Sequence, residues 1–214
     1  MQIAIVSATD FEQNLFDINA LQNQHSVKFY THGIGLMLST FHLCEIVKSK
    51  PDLIIQCGLA GTYHNHLKIG ETVIVENEIL GDTGAQDHLG QLDLFDMQLM
   101  NANEFPFSKS MLKNEYVTHL NTSLKKVSGL TVNLSSGNAS TIQLRKEKYN
   151  ADIETMEGAA LHYVCLQKEI PFIQFRAISN LVEPRNKDNW KLKEAIESYT
   201  EAITAFIHQI PSNL

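Results

Sequence analysis

Short apolar runs typical of buried strands recur along the chain, and segments with helical spacing separate them. We predict strands at residues 3–8, 27–30, 52–57, 73–75, 130–134 and 172–178. Helices are predicted at residues 36–47, 153–167 and 192–207, with Asp188 as the cap of the last helix. Because strands alternate with helices, we predict a three-layer α/β/α fold with a central mixed, mostly parallel sheet. The 214 residues suffice for a single domain over 1–214, in which the less periodic residues 85–125 form a long loop with small excursions.

Composition and charge exclude several broad classes of protein. The chain is 43% hydrophobic and 19% charged, and its net charge of -7 argues against attraction to nucleic acid or to a membrane surface. No apolar run reaches the roughly 20 residues that span a bilayer, and the first residues lack the charged segment of a signal peptide. Because Cys44, Cys57 and Cys165 are odd in number and far apart, we expect free thiols and a cytoplasmic location.

Polar or glycine-rich segments follow most of the predicted strands. They are Glu12 and residues 33–35, 58–61, 136–138, 156–157 and 179–180. In an open α/β sheet, ligands bind in the crevice beyond the carboxyl ends of the strands, where such segments meet. Glycine and polar residues also serve ordinary turns, so no single cluster identifies a site. As a set, the clusters predict a ligand crevice.

Glu157 has two interpretations at the start of its predicted helix. The carboxylate could favour the positive end of the helix dipole, or it could accept hydrogen bonds from the hydroxyl groups of a ligand. Glu154 lies earlier and fits the dipole role better, which leaves Glu157 for a ligand. His64 and His66 lack a third ligand at a recognisable spacing, so the sequence predicts no metal site.

Five segments of the chain occur in an order and at a spacing that are found in a known family. They are residues 1–12, Gly33-Ile34-Gly35, Gly58-Leu59-Ala60-Gly61, Met156-Glu157 and Arg176-Ala177-Ile178-Ser179-Asn180. In these segments the chain resembles purine nucleoside phosphorylases and nucleosidases over about residues 1–207. The resemblance is closest to the methylthioadenosine/S-adenosylhomocysteine nucleosidase branch. Within it, residues 81–85 and 183–190 resemble futalosine hydrolases, which release hypoxanthine from futalosine in menaquinone biosynthesis and leave dehypoxanthine futalosine.

The resemblance has general implications and also assigns roles to individual residues. It implies a nucleoside phosphorylase-like fold, a small-molecule nucleoside as partner, no cofactor or metal, and a homo-oligomer of two or more copies. Glu12 matches the carboxylate that activates the attacking water, Glu157 the one that binds the ribose hydroxyls, and Met156 the residue packed against the sugar. The implied catalytic residues are Glu12 and Asn180. The other implied substrate-binding residues are Ala60, Gly61, Ser179, Arg145 and Arg185, the two arginines being candidates for the benzoate of futalosine.

Asn180 departs from the pattern of adenine-specific nucleosidases, which have an aspartic acid there that protonates the purine. An amide has one donor end and one acceptor end, so it can donate to the carbonyl of hypoxanthine and accept from a protonated ring nitrogen. Against adenine, its NH₂ group would face another NH₂ group. Asn180 therefore favours a 6-oxopurine, and the leaving group must obtain its proton from a water or be stabilised by hydrogen bonds.

The arginine distribution favours water over phosphate as the nucleophile. A phosphate co-substrate usually needs arginines, which the phosphorylases of this family place in the first half of the fold. Here the first arginine is Arg145. The cleavage is then a hydrolysis through an oxocarbenium-like transition state, with Glu12 as the base.

Several alternatives stay open at the level of sequence. They are an adenine-type nucleosidase, a nucleoside phosphorylase, and a nucleoside-binding protein without activity, although a binder would not need Glu12. Arg176 is either a ligand contact or a member of a structural ion pair. The aromatic residue that stacks on the base is one of Phe95, Phe105, Phe107 and Trp190.

Overall fold

The computed structural model describes residues 1–22, 24–88 and 90–211, and for Lys187 the backbone only. The strands are β1 (Gln2–Ser7), β2 (Ser26–Thr31), β3 (Leu53–Thr62), β4 (Thr72–Leu80), β5 (Gly84–Gln86), β6 (Gln91–Asp93), β7 (Phe107–Ser108), β8 (Met111–Lys113), β9 (Lys126–Thr131), β10 (Ile153–Thr155) and β11 (Phe172–Leu181). The α-helices are α1 (Ile18–Leu21), α2 (Leu36–Ile46), α3 (Glu115–Thr118), α4 (Ala139–Tyr149), α5 (Gly158–Gln167) and α6 (Leu192–Gln209).

Part of the central sheet closes on itself. The strands β3, β11, β4, β9 and β10 each pair with the next, and β10 pairs with β3 again. Outside this ring, β1 and β2 extend the sheet from β3, while β8 and β7 extend it from β4. Parallel pairs join β2, β1, β3 and β11, whereas β11 and β4 are antiparallel. The sheet is therefore mixed, as predicted.

Alternation along β1 explains how helices cover both faces. Ile3 and Ile5 pack in one buried cluster with residues of α6, including Tyr199. Ala4 and Val6 point to the opposite face, where they pack with residues of α2 and α5. Because successive side chains of a strand point to opposite faces, one apolar strand supplies both cores. The predicted arrangement of helices around a central sheet is confirmed.

The predicted helix at 153–167 is wrong in its first part. Residues Ile153–Thr155 form β10, which pairs with β3 and β9, and α5 begins only at Gly158 with Glu157 as its N-cap. All three residues of β10 are buried, so the alternation that marks a half-buried strand is absent. Asp188 was also predicted wrongly as a cap, since it lies in a 3₁₀ turn and Lys191 is the N-cap of α6.

The strand β3 is longer than predicted and carries the glycine-rich segment inside it. It continues to Thr62, alongside β11. Gly58 permits a close approach here, because a Cβ atom at this position would lie 2.2 Å from Nη1 of Arg176. A larger residue at Gly58 would therefore displace that arginine.

Three simpler expectations can be compared with the structure. The thiols Cys44, Cys57 and Cys165 are free, as predicted. In the described part of the chain, no helix is both long and apolar enough to span a membrane. Within the same residues, no three His, Cys, Asp or Glu side chains are grouped to hold a metal ion.

Candidate active site

A cavity of about 400 Å³ is lined by the carboxyl-terminal parts of β3 and β11, by residues that follow β1, and by the residues that precede α5. Eight of the residues predicted from the sequence line it, namely Glu12, Ala60, Gly61, Met156, Glu157, Ser179, Asn180 and Arg185. Glu12 and Asn180 are 168 positions apart in the chain and still line the same cavity. The cavity lies where the crevice of an α/β sheet is expected.

Glu12 is held in a short 3₁₀ turn, Asp10–Gln13, that follows β1. Its Oε2 accepts hydrogen bonds from the N–H of Thr9 at 3.0 Å and from Oγ1 of Thr9 at 3.1 Å. The hydroxyl of Tyr199 donates to the backbone carbonyl of Glu12 at 2.7 Å. Within the described residues Oε1 accepts no hydrogen bond, and a Cβ added at Gly58 would lie 3.3 Å from it. One carboxylate oxygen is thus fixed by Thr9, and the other has no hydrogen-bond donor among the described residues.

Glu157 is buried, and both of its carboxylate oxygens have partners. The N–H of Gly35 donates to Oε1 at 3.1 Å, and Nη2 of Arg176 lies 3.7 Å from Oε2. Burial raises the pKa of the Glu157 carboxyl above its ordinary value, while Arg176 and the Gly35 N–H oppose that rise. Met156 precedes it on the cavity wall. An ionised Glu157 in this position can accept hydrogen bonds from hydroxyl groups of a ligand.

Arg176 both lines the cavity and forms an ion pair. The side chain is 1% exposed, and it reaches Glu157 from the middle of β11. Nη2 also donates to Oε1 of Gln56 at 3.0 Å, and Nη1 to the carbonyl of Leu59 at 3.4 Å. The sequence left open whether Arg176 contacts a ligand or belongs to a structural ion pair. Its position allows both roles at once.

Asn180 lies just after a register shift in β11. Ser179 Oγ donates to Asn180 Oδ1 at 2.7 Å, and Asn180 Nδ2 donates to the carbonyl of Leu181 at 2.7 Å. These contacts fix which end of the amide is the donor. One N–H and one lone pair of Oδ1 remain for a ligand in the cavity.

Arg145 occupies a different position from the one predicted. It is buried in α4, and Nη1 donates to Oε2 of Glu154 at 3.3 Å and to the carbonyl of Leu134 at 2.9 Å. Glu154 lines the cavity and also accepts from the N–H of Ser136 at 2.7 Å, so it does not serve the dipole of α5. Arg145 therefore lies behind Glu154 and supports that carboxylate, which corrects its assignment as a substrate contact.

Arg185 and Trp190 form one side of the cavity rim. The guanidinium carbon of Arg185 lies 5.4 Å from the centre of the Trp190 ring, and Nη1 lies 3.5 Å from Oγ of Ser135. Phe11 is a further aromatic residue of the cavity, which the sequence reasoning missed although it adjoins Glu12. Phe95 packs on Phe107 instead, with ring centres 5.2 Å apart. Of the four aromatic candidates, Trp190 is the one that lines the cavity.

Glu78 is a fully buried carboxyl that supports the start of α5. Its Oε2 accepts from Oγ1 of Thr131 at 2.7 Å, and Thr131 Oγ1 in turn accepts from the N–H of Ala159 at 2.8 Å. Gln174 Nε2 donates to Glu78 Oε1 at 2.8 Å. A Cβ at Gly158 would lie 1.8 Å from Glu78 Oε1, which explains the glycine directly after Glu157.

Replacing Glu78 with Gln should change how stability depends on pH. Burial raises the pKa of Glu78 from 4.5 to about 7, so the folded state binds this proton more tightly than the unfolded state. The stability associated with the protonated carboxyl is complete below about pH 4.5 and is lost as the pH rises through about 7. The free energy of unfolding of Glu78→Gln minus that of the parent should rise by about 2.5 kcal/mol when the pH is raised from about 5 to about 9. Urea unfolding at both pH values measures this, and a constant difference would contradict it.

Comparison with known proteins shows which family and which relatives this chain is similar to. Residues 21–210 match the Phosphorylase superfamily. The chain is 31% identical to futalosine hydrolase from Thermus thermophilus over 175 residues, which cover 80% of this chain and 76% of that protein. It is 26% identical to 5'-methylthioadenosine/S-adenosylhomocysteine nucleosidase from Staphylococcus aureus over 223 residues, covering 94% of this chain and 95% of that protein. A structure of a futalosine hydrolase mutant from Helicobacter pylori matches with a TM-score of 0.79 at 16% identity, over 98% of this chain and 100% of that one.

The chain belongs to the Phosphorylase superfamily. Within that superfamily, the relatives named above are a futalosine hydrolase and a nucleosidase, which supports hydrolysis of the N-glycosidic bond of a nucleoside. The predicted resemblance and the nucleoside phosphorylase-like α/β fold are confirmed.

Proposed function

We propose that the protein hydrolyses the N-glycosidic bond of a 6-oxopurine nucleoside, converting futalosine to hypoxanthine and dehypoxanthine futalosine in menaquinone biosynthesis. The observation that carries this proposal is the amide of Asn180 in the same cavity as Glu12 and Glu157. The 31% identity to futalosine hydrolase from Thermus thermophilus supports it further.

Glu12 and Glu157, two of the carboxylates that line the cavity, have separate parts in the reaction. Glu12, with Oε2 held by Thr9, takes a proton through Oε1 from the water that attacks the sugar. Glu157 accepts hydrogen bonds from the ribose hydroxyls, and Met156 packs against the sugar. Positive charge develops on the sugar as the bond to the purine breaks, and the buried carboxylates stabilise it.

Asn180 selects the base and stabilises it as it leaves. The free N–H of Nδ2 donates to the carbonyl of hypoxanthine, and Oδ1 accepts from the purine ring once a water has protonated it. An adenine nucleosidase is the second candidate, because the Staphylococcus aureus relative carries that name. Adenine would place its amino group against the N–H of Asn180, so this candidate is disfavoured.

The rim of the cavity fits the benzoate end of futalosine. Arg185 is an exposed cation beside Trp190, and within the described residues it forms no ion pair with a carboxylate. A guanidinium can bind a carboxylate with two parallel hydrogen bonds, and the Trp190 ring offers a surface for an aromatic group. Arg145 forms an ion pair with Glu154, so Arg185 is the better candidate for the contact with the benzoate.

The protein is further proposed to act in the cytoplasm as a homo-oligomer. Helix α2 exposes the apolar side chains Met37, Leu38 and Phe41. Ile34, two residues before that helix, is also exposed and lines the cavity. A second copy packed on this face would bury the exposed apolar surface and reach the rim of the cavity.

A panel of nucleosides tests the proposed substrate. Base release from futalosine should exceed release from inosine, and methylthioadenosine should not react. Arg185→Gln should raise KM for futalosine about 10-fold to 100-fold and leave the kinetics with inosine unchanged, because only futalosine carries the benzoate. Lys193→Gln, which removes an exposed cation of α6, is the matched control. An equal loss with both nucleosides would place Arg185 outside the benzoate site, and no release from any of them would favour a nucleoside-binding protein.

A further inference from the structure

A series of buried polar side chains leads from Arg176 away from the cavity. Gln56 Oε1 accepts from Arg176 Nη2 at 3.0 Å, and Gln56 Nε2 lies 3.0 Å from His32 Nε2. His32 Nδ1 lies 2.9 Å from the carbonyl oxygen of Gly33 and 3.0 Å from Oγ of Ser39. Gln56, His32 and Ser39 are each 0% exposed. The reaction described so far uses none of these three side chains.

The proton arrangement in this series follows from its chemistry. Arginine offers only donors, so Gln56 must turn Oε1 toward Arg176 and its NH₂ group toward His32. His32 Nε2 must then accept, which leaves the ring proton on Nδ1, where it faces the carbonyl of Gly33. Burial lowers the pKa of His32 to about 4, in agreement with a neutral ring at neutral pH.

His32 is connected to both supports of the Glu157 carboxylate. On one side, it orients Gln56, which orients the Arg176 guanidinium 3.7 Å from Glu157 Oε2. On the other side, its Nδ1 contacts the carbonyl of Gly33, in the segment that carries the N–H of Gly35 to Glu157 Oε1. A break at His32 would therefore loosen both contacts of Glu157.

We infer that His32 and Gln56 are positioning residues, which hold Arg176 and the Gly33–Gly35 segment so that the Glu157 carboxylate keeps one orientation toward the ribose. This inference rests on the proposed function, because it assigns the two residues a part in that reaction. Neither residue lines the cavity, so each acts through Arg176 or the Gly35 N–H. Fixed partners of this kind keep a reacting group within the narrow geometry that catalysis requires.

The ¹⁵N NMR spectrum of the His32 imidazole tests the proton arrangement directly in the whole protein. At about neutral pH we expect a neutral ring with the proton on Nδ1 and with Nε2 as the acceptor. Gln56→Met removes the donor to Nε2 and should shift the Nε2 resonance of His32. A proton on Nε2 in the parent protein, or a charged ring, would overturn the inference.

Two variants of His32 test the effect on the reaction. Gln at position 32 keeps an acceptor near the place of Nε2, whereas Leu has a similar size and no acceptor. With futalosine, His32→Leu should lower kcat at least about tenfold, while His32→Gln should stay within about threefold of the parent. A structural role alone would lower the thermal midpoint of both variants and leave kcat of the folded enzyme unchanged, which would overturn the inference.

Failure of the proposed function and failure of this inference give different results. If the parent protein releases no base from any nucleoside of the panel, the proposed function fails, and the His32 tautomer still tests the proton arrangement. If the parent is active and His32→Leu keeps its kcat, the inference fails and the proposed function stands. If His32→Leu does not fold, Gln56→Met takes its place and should lower kcat at least about tenfold.

Discussion

Replacing Glu12 with Gln should reduce kcat with futalosine by about 10²-fold to 10⁴-fold and leave the Kd of the substrate within about threefold. The amide has the same size as the carboxylate, and its oxygen can still accept from the N–H of Thr9. It cannot take a proton from the attacking water, so the loss falls on the chemical step. Single-turnover kinetics and titration calorimetry measure the two effects separately.

The matched control for this variant is Asp10→Asn. Asp10 lies in the same 3₁₀ turn but is exposed and accepts a hydrogen bond from Thr31. Its kcat should stay within about threefold of the parent. If Glu12→Gln turned over futalosine at the rate of the parent, another group would be the base. If the parent turned over no futalosine and Glu12→Gln changed its binding little, the protein would be a nucleoside binder.

Replacing Asn180 with Asp should shift the base preference from hypoxanthine toward adenine nucleosides. The ratio of kcat/KM values for inosine and adenosine should change by about 10²-fold to 10⁴-fold. The new carboxyl oxygen would face the carbonyl of Leu181, where Nδ2 of Asn180 now donates at 2.7 Å. That contact favours a protonated acid, which can deliver a proton to adenine as it leaves. Release of both bases, followed by chromatography, measures the ratio.

Asn186→Asp is the control for the effect of a new carboxyl group in the cavity. Asn186 lines the same cavity, so the substitution adds a carboxyl group there at a position other than 180. Its ratio of the two kcat/KM values should match that of the parent within about threefold. An unchanged preference in Asn180→Asp would contradict the role given to the amide. An equal shift in both variants would assign the effect to any added carboxyl group and not to position 180.

The three-layer arrangement of helices and sheet was predictable from the sequence, because each buried strand appears there as a short apolar run. Residues such as Ile3, Ile5 and Ile55 form uninterrupted apolar runs, and the structure buries them in strands of the central sheet. The strand β10 has only three residues, all of them buried, so its pattern could not be told from the helix that follows. The closed ring of strands could not be predicted either, since it depends on long-range pairing between β10 and β3.

The candidate site was predicted less completely, because its partners are distant in the chain. Glu157 and Gly35 are 122 positions apart, and no local pattern joins them. The sequence gives no sign that the charge of Arg145 has partners. Only the fold brings Glu154 and Asp82 next to it. The sequence contained one signal that was not used. Gln56 is a polar residue in the middle of an apolar strand, and a buried polar side chain usually has a hydrogen-bond partner.

Incubation of the purified protein with futalosine in phosphate-free buffer made with ¹⁸O-labelled water tests hydrolysis most directly. We expect hypoxanthine and dehypoxanthine futalosine in equal amounts, with one labelled oxygen at the sugar carbon that held the purine. Release of hypoxanthine only after phosphate is added, with a sugar phosphate as the second product, would contradict hydrolysis and identify a phosphorylase.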